Sequence, residues 1–133
     1  MVQIEVTIGK NTNIQETGNP TYYSGLAIGN YAQATGGISF ALGHYAQALS
    51  PSAMALGTAT KASGFNSLAM MRQAYAGEQY AAAIGTAASA QGKASLAMGH
   101  SALATGEQSI AIGSANPTPM KDDKGTPYTA YDG

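Results

Sequence analysis

Ser39-Phe40-Ala41-Leu42-Gly43 is the stretch that decides the fold, because the chain returns to it at one fixed interval. Glycine closes the unit at Gly29, Gly43, Gly57, Gly85, Gly99 and Gly113. Each lies 14 residues from the next except for one gap of 28, in which Met71 holds the missing slot. Two residues before each of these seven slots stands alanine: Ala27, Ala41, Ala55, Ala69, Ala83, Ala97 and Ala111. Five residues after the first six comes alanine again, at Ala34, Ala48, Ala62, Ala76, Ala90 and Ala104. A short, strict period of this kind specifies a solenoid, one structural unit stacked on copies of itself.

Within one period, Ile38 to Leu42 alternates in character, with Phe40 and Leu42 on one face and Ser39 and Ala41 on the other. That is the repeat of a β-strand. Gly43-His44 then turns the chain, and Tyr45-Ala46-Gln47-Ala48 is expected to form a second short strand, with Tyr45 and Gln47 facing away from Ala46 and Ala48. Leu49-Ser50-Pro51 turns back. In other coils this return carries Gly36, Gly64, Gly92 or Gly106, where a positive φ is expected. A helix is excluded by glycine at every turn and by the period of two between turns. Seven coils stacked at about 4.8 Å give a rod of roughly 35 Å.

The small residues of both strands share one side and predict a thin, close interior. The bulky residues fall three and one positions before each glycine slot, at Leu26, Ile28, Phe40, Leu42, Met54, Leu56, Leu68, Met70, Ile84, Leu96, Met98, Ile110 and Ile112. Alternation points them outward. So continuous an apolar stripe does not belong on a monomer surface. Its burial would contribute on the order of 20–40 kcal/mol per chain as an upper bound. With no other hydrophobic segment to cover it, the expected cover is another copy of the chain. The opposite assignment, bulky residues inside and alanines outside, would allow a monomer.

Composition bounds the function. The 133 residues suffice for one domain, and with 10% charged residues and a net charge of −1 there is no basic surface for nucleic acid or a polybasic membrane contact. Cysteine is absent, no apolar run reaches the length of a membrane helix, and the start has no signal-peptide layout. Three regions are expected. Residues 1–23 read as an atypical capping repeat, in which Val6-Thr7-Ile8-Gly9 imitates the unit and Glu16-Thr17-Gly18-Asn19-Pro20 forms an extra loop. Residues 24–114 carry the regular repeats. Residues 115–133 read as irregular chain: Ala115 to Pro119 breaks the pattern, Met120 to Gly125 is an exposed charged loop, and Thr126 to Gly133 leads toward a further repeat or stalk. The chain is expected to be part of a longer fibre.

The unit Ser-x-Ala-Ile/Leu-Gly followed by Ala-x-Ala-x-Gly resembles the head repeat of the YadA-like trimeric autotransporter adhesins of Gram-negative bacteria. Its clearest copies are Ser109-Ile110-Ala111-Ile112-Gly113 and Ser95-Leu96-Ala97-Met98-Gly99, the latter followed by Ala102-Leu103-Ala104-Thr105-Gly106. The resemblance spans residues 24–114. It implies an all-β, left-handed parallel β-roll, three chains about a threefold axis (a homotrimer), held at the bacterial cell surface above the outer membrane. Such heads attach to host cells, matrix proteins, glycans or other bacteria. The family's secretion signal, coiled-coil stalk and membrane anchor have no counterpart here, so anchoring to the outer membrane is expected through regions outside this chain. The neck motif is not evident after Ser114.

Candidate sites are few. His44 and His100 hold equivalent turn positions four coils apart, about 20 Å along the rod, so they cannot share one catalytic or metal site. Glu78 and Glu107 stand singly in turns, and no carboxylate pair is set for acid–base work. No catalytic residue, metal site or cofactor is therefore expected. Tyr31 and Gln33 are expected under Tyr45 and Gln47 on the outer face of the second strand, followed by Ala59 and Lys61, then Gln73 and Tyr75. The tyrosines are good contact material, so this ladder is a candidate ligand surface. The coil that lacks its glycine, with Arg72, Tyr75 and Glu78, is a second candidate. Among rivals, a hexapeptide-repeat acyltransferase conflicts with a period of 14, and an ice-binding solenoid would keep threonine at one slot. A structural segment of a phage or other surface fibre remains the alternative reading.

Overall fold

The computed structural model describes residues 5–10, 12–14, 25–114, 120–121 and 127–128. The strands are β1 (Glu5–Ile8), β2 (Asn13–Ile14), β3 (Gly25–Ile28), β4 (Gln33–Ala34), β5 (Phe40–Leu42), β6 (Gln47–Ala48), β7 (Met54–Leu56), β8 (Lys61–Ala62) and β9 (Leu68–Met70). They continue with β10 (Tyr75–Ala76), β11 (Ala82–Ile84), β12 (Ser89–Ala90), β13 (Leu96–Met98), β14 (Leu103–Ala104), β15 (Ile110–Ile112), β16 (Met120–Lys121) and β17 (Pro127–Tyr128). Among the described residues the odd-numbered strands β1 to β15 form one eight-stranded sheet and the even-numbered strands β2 to β14 a seven-stranded one. All pairs in both sheets are parallel. The chain is thus an all-β parallel solenoid, with six regular coils from β3 to β14.

Register follows the repeat. Ala27, Ala41, Ala55, Ala69, Ala83, Ala97 and Ala111 lie opposite one another from strand to strand, and Thr7 takes the same slot against Ala27. The interior is built of these methyl groups: nineteen alanines are buried, from Ala27 to Ala104. Among the described residues Ser39, Thr60, Ser67 and Ser95 are the buried polar ones. Thr60 donates to the carbonyl of Gly57, and Ser39 to that of Gly36. A space of this width accepts nothing larger, so the bulky residues stand outside and the opposite assignment fails. Ile28, Phe40, Met54, Met98, Ile110 and Ile112 are exposed. Leu26, Leu42, Leu56, Leu68, Met70, Ile84 and Leu96 are half-buried, since rungs about 4.8 Å apart shield one another.

Three local expectations are corrected. The second strand is Gln47–Ala48 rather than Tyr45–Ala48, and the first begins at Phe40 rather than Ile38. Tyr45 and Ile38 sit in the two turns, both with a φ of 57°. Positive φ does not fall at Gly36, Gly64, Gly92 and Gly106. It falls two residues later, at Ile38, Ser52, Asn66, Tyr80, Ala94 and Gln108, and in the opposite turn at Tyr31, Tyr45, Ala59, Gln73, Ala87 and Ser101. The cause is the hydrogen-bond ladder. From Tyr31 onward, Ile38 apart, these left-handed residues aim the N–H along the rod at the coil beneath, as in Tyr45 to Asn30 (2.9 Å), Ala59 to His44 (2.8 Å) and Ser52 to Gly37 (2.9 Å). That bond offsets the roughly 1–2 kcal/mol the conformation costs a residue with a Cβ. Gly36, Gly64 and Gly92 serve close approach instead: a Cβ there would stand about 2 Å from the carbonyl oxygen of the coil above, at Ser50, Glu78 and Gly106.

The glycines that close the first strand have φ between 116° and 140°, whereas Met71 in that slot has 82°. Displacement is visible in the next rung. Gly85 N donates to Met70 O at 3.1 Å, against 2.7 Å for Gly43 to Ile28 and 2.8 Å for Gly99 to Ile84. Met71 is about half exposed, so its side chain offsets little of this. Met71→Gly is expected to stabilise the chain by about 1 kcal/mol, net of the greater freedom glycine has in the unfolded chain. The thermal midpoint should rise by roughly 5 °C, and an unchanged or lower midpoint would refute the strain at this slot.

The N- and C-terminal expectations divide. β1 pairs with β3, and β2 with β4, in the register of the other coils. Met120–Lys121 pairs antiparallel with Pro127–Tyr128, so the segment read as irregular contains a short ladder. The loop at Glu16 to Pro20, the break at Ala115 to Pro119, Asp122 to Gly125 of the charged loop, and Thr126 and Thr129 to Gly133 of the lead lie outside the described residues.

Candidate functional site

The left-handed turn conformation repeats from coil to coil, so side chains at one turn position project alike and stack along the rod. Tyr31 and Tyr45 show this directly. Their rings are parallel within 4° with centroids 4.6 Å apart, which is the spacing of the rungs. His44 stands edge-on to Tyr45 at 4.4 Å and to Tyr31 at 6.2 Å. The three separations close a nearly right-angled triangle at Tyr45. The His44 centroid therefore stands at about a right angle to the line joining the two tyrosines. Tyr45 is 47% exposed.

The seven-stranded sheet adds a second column. Gln33, Gln47, Lys61 and Tyr75 are in register on successive strands, and the Lys61 ammonium lies 5.9 Å from the centre of the Tyr75 ring. That distance is within the range of a cation–π contact. The expected ladder thus exists as two adjoining columns, the tyrosines on the turn and the glutamines on the strand, because the turn takes Tyr31 and Tyr45 out of the strand. Arg72 is exposed in the turn after β9, whereas Glu78 stands in the turn after β10, with that strand and Tyr75 between them. Arg72, Tyr75 and Glu78 are therefore spread around the coil rather than gathered at one point.

Sequence reasoning missed one part of this surface. Directly above His44 and Tyr45 come Thr58 and Ala59, both exposed, and above those Arg72 and Gln73. Two small residues leave a step in the turn where the aromatic stack stops. The signal was present in the repeat, since Ala59 holds the slot of Tyr31 and Tyr45, but only the stacked geometry gives it meaning. Far from this step, His100 has its Nδ1 3.3 Å from the hydroxyl of Ser101. Phe65 meets Tyr80 edge-on at 6.0 Å on the return turn.

A family model described as the YadA head domain repeat (2 copies) matches residues 23–46, 48–70 and 90–116, more than half of the chain. The unmatched interval after residue 70 begins at Met71, yet β9, β11 and β13 stay in register through it. No curated protein matches the chain.

Proposed function

The chain belongs to the YadA head domain repeat family, and from that premise we propose that it is a segment of a trimeric adhesin head. Three copies pack side by side as left-handed rolls through the outer face of the eight-stranded sheet. The contacts come from Leu26, Ile28, Phe40, Leu42, Met54, Leu56, Leu68, Met70, Ile84, Leu96, Met98, Ile110 and Ile112. The head stands at the bacterial surface, anchored to the outer membrane through other regions of its parent protein. There it attaches to host cells, matrix components or other bacteria. Residues 1–23 cap the roll and 115–133 lead out of it.

One observation carries the reading. A parallel sheet is ordinarily covered on both faces, and here the inner face is sealed by alanines while the outer face carries bare leucine, isoleucine, methionine and phenylalanine. The described residues hold nothing that folds over it. A self-complementary apolar face on a slender rod is suited to symmetric association. The family and its fold serve presentation rather than chemistry, since the rod offers its surroundings ordinary exposed side chains. Threefold repetition of each contact raises avidity without a strong single site.

Sedimentation velocity of the purified chain tests this. Three times the chain mass of 13.4 kDa is expected at micromolar concentration. A well-folded single chain would overturn the assembly and with it the mechanical basis of the adhesin reading.

A further inference from the structure

We propose that the step at Thr58 and Ala59 is a binding site for an acidic saccharide, its sugar ring stacked on the outer face of Tyr45. This rests on the reading above that the outer surface of the rod makes the adhesive contacts, and it names the class of ligand.

The floor of the site is Tyr45, which stacks on Tyr31, meets His44 edge-on and remains 47% exposed. The stack ends there because the next rung carries Ala59, although its backbone has the same conformation, with φ of 55° against 57°. From the Tyr45 rung to the Gln73 rung is two steps, about 9–10 Å, which leaves room for one ring at the spacing Tyr31 and Tyr45 already show. The surroundings select the chemistry of that ring. Gln47 flanks the floor and Gln73 the roof, each offering an amide that donates and accepts hydrogen bonds. Lys61, on the coil of Ala59, leans up toward Tyr75, and Arg72 stands exposed on the roof rung. Both cations thus belong to the upper side of the gap and the aromatic face to the lower. Glu78 and Glu107 lie in the opposite turns. A pyranose offers what fits between them: a C–H face for the tyrosine, hydroxyls for the glutamines and a carboxylate for Lys61 or Arg72.

The fold makes the test clean. Ala59 and Ala87 already occupy the slot of Tyr45, so Tyr45→Ala is compatible with the turn, and Tyr31 and Tyr45 show that the turn accepts Ala59→Tyr. Binding of 3′-sialyllactose, a hyaluronan tetrasaccharide and uncharged lactose to the chain is measured by ligand-observed NMR. At least one acidic sugar is expected to bind about tenfold more tightly than lactose, the effect of one charge-assisted hydrogen bond. A response to sialyllactose alone assigns a sialic acid, and one to hyaluronan alone a uronic acid. Tyr45→Ala should weaken binding about five- to tenfold. Ala59→Tyr should abolish it by continuing the stack through the site. No binding of either acidic sugar, equal binding of lactose, or full binding by Ala59→Tyr overturns the proposal. Beads coated with the chain separate the two readings. If they hold to cells and still hold when Ala59→Tyr replaces the parent chain, the saccharide site falls and adhesion stands. If the parent chain does not hold at all, adhesion itself falls.

Discussion

Leu42→Asp combined with Leu56→Asp is expected to abolish assembly at micromolar concentration. The two leucines are register partners on β5 and β7, half-buried within one chain, and the proposed packing would cover what remains exposed. Losing both removes about 3–6 kcal/mol of burial per chain. In the proposed trimer, threefold symmetry would then gather six carboxylates around one axis, where like charges in a desolvated setting repel strongly. Sedimentation velocity should report the loss as a single slow species or as unfolded chain. Lys61→Gln, on the other sheet, should leave the assembly unchanged. If the double variant sediments with the parent chain, the apolar stripe is not the contact surface, whatever the oligomeric state.

The second large effect concerns the stacking of coils. Gly85 has a φ of 140°, and a Cβ placed on it would stand 2.3 Å from the carbonyl oxygen of Gly99. Gly85→Ala therefore meets two penalties at once, a backbone conformation open almost only to glycine and a collision with main chain that cannot swing aside. The combined loss is expected to be at least about 3 kcal/mol. Because each coil touches only its neighbours, the damage should be local, parting the rod between β11 and β13. Hydrogen exchange would show amides from Gly85 to Gly99 losing protection first. Protection equal to that of the parent chain would mean that these rungs are not in close contact.

Much of this was legible before any coordinates. The alanine slots identify the interior because only small residues, mostly alanine, recur at the positions that both strands turn inward. The bulky positions then follow by alternation, and the glycine slots mark where the chain must turn with a φ closed to other residues. What sequence could not convey is the conformation of the turns. Their left-handed positions hold Tyr, Ala, Gln and Ser on one side and Ile, Ser, Asn, Tyr, Ala and Gln on the other. These share no chemistry, because the conformation is imposed by the hydrogen bond to the coil below and not by the residue. Tyr45 was accordingly placed on a strand, while its pairing with Tyr31 was visible from the period alone. Gly36 and Gly64 read as positive-φ positions from sequence, since a glycine needed for conformation and one needed for proximity look the same in one dimension.

The uniform alanine interior has a consequence for length. A core of varied shapes would give each layer a unique neighbour, but a core of methyl groups is the same at every level. Inside the roll the coil of Ala83 differs from the coil of Ala97 by little more than one hydroxyl, where Ser95 stands in the slot of Ala81. Removing or duplicating one whole period, 42 nucleotides of coding sequence for 14 residues, therefore leaves the interior contacts nearly equivalent, the few serine and threonine slots apart, and changes reach by a single step of about 4.8 Å. A lineage can lengthen or shorten this rod in whole units, and only the outward side chains register the change.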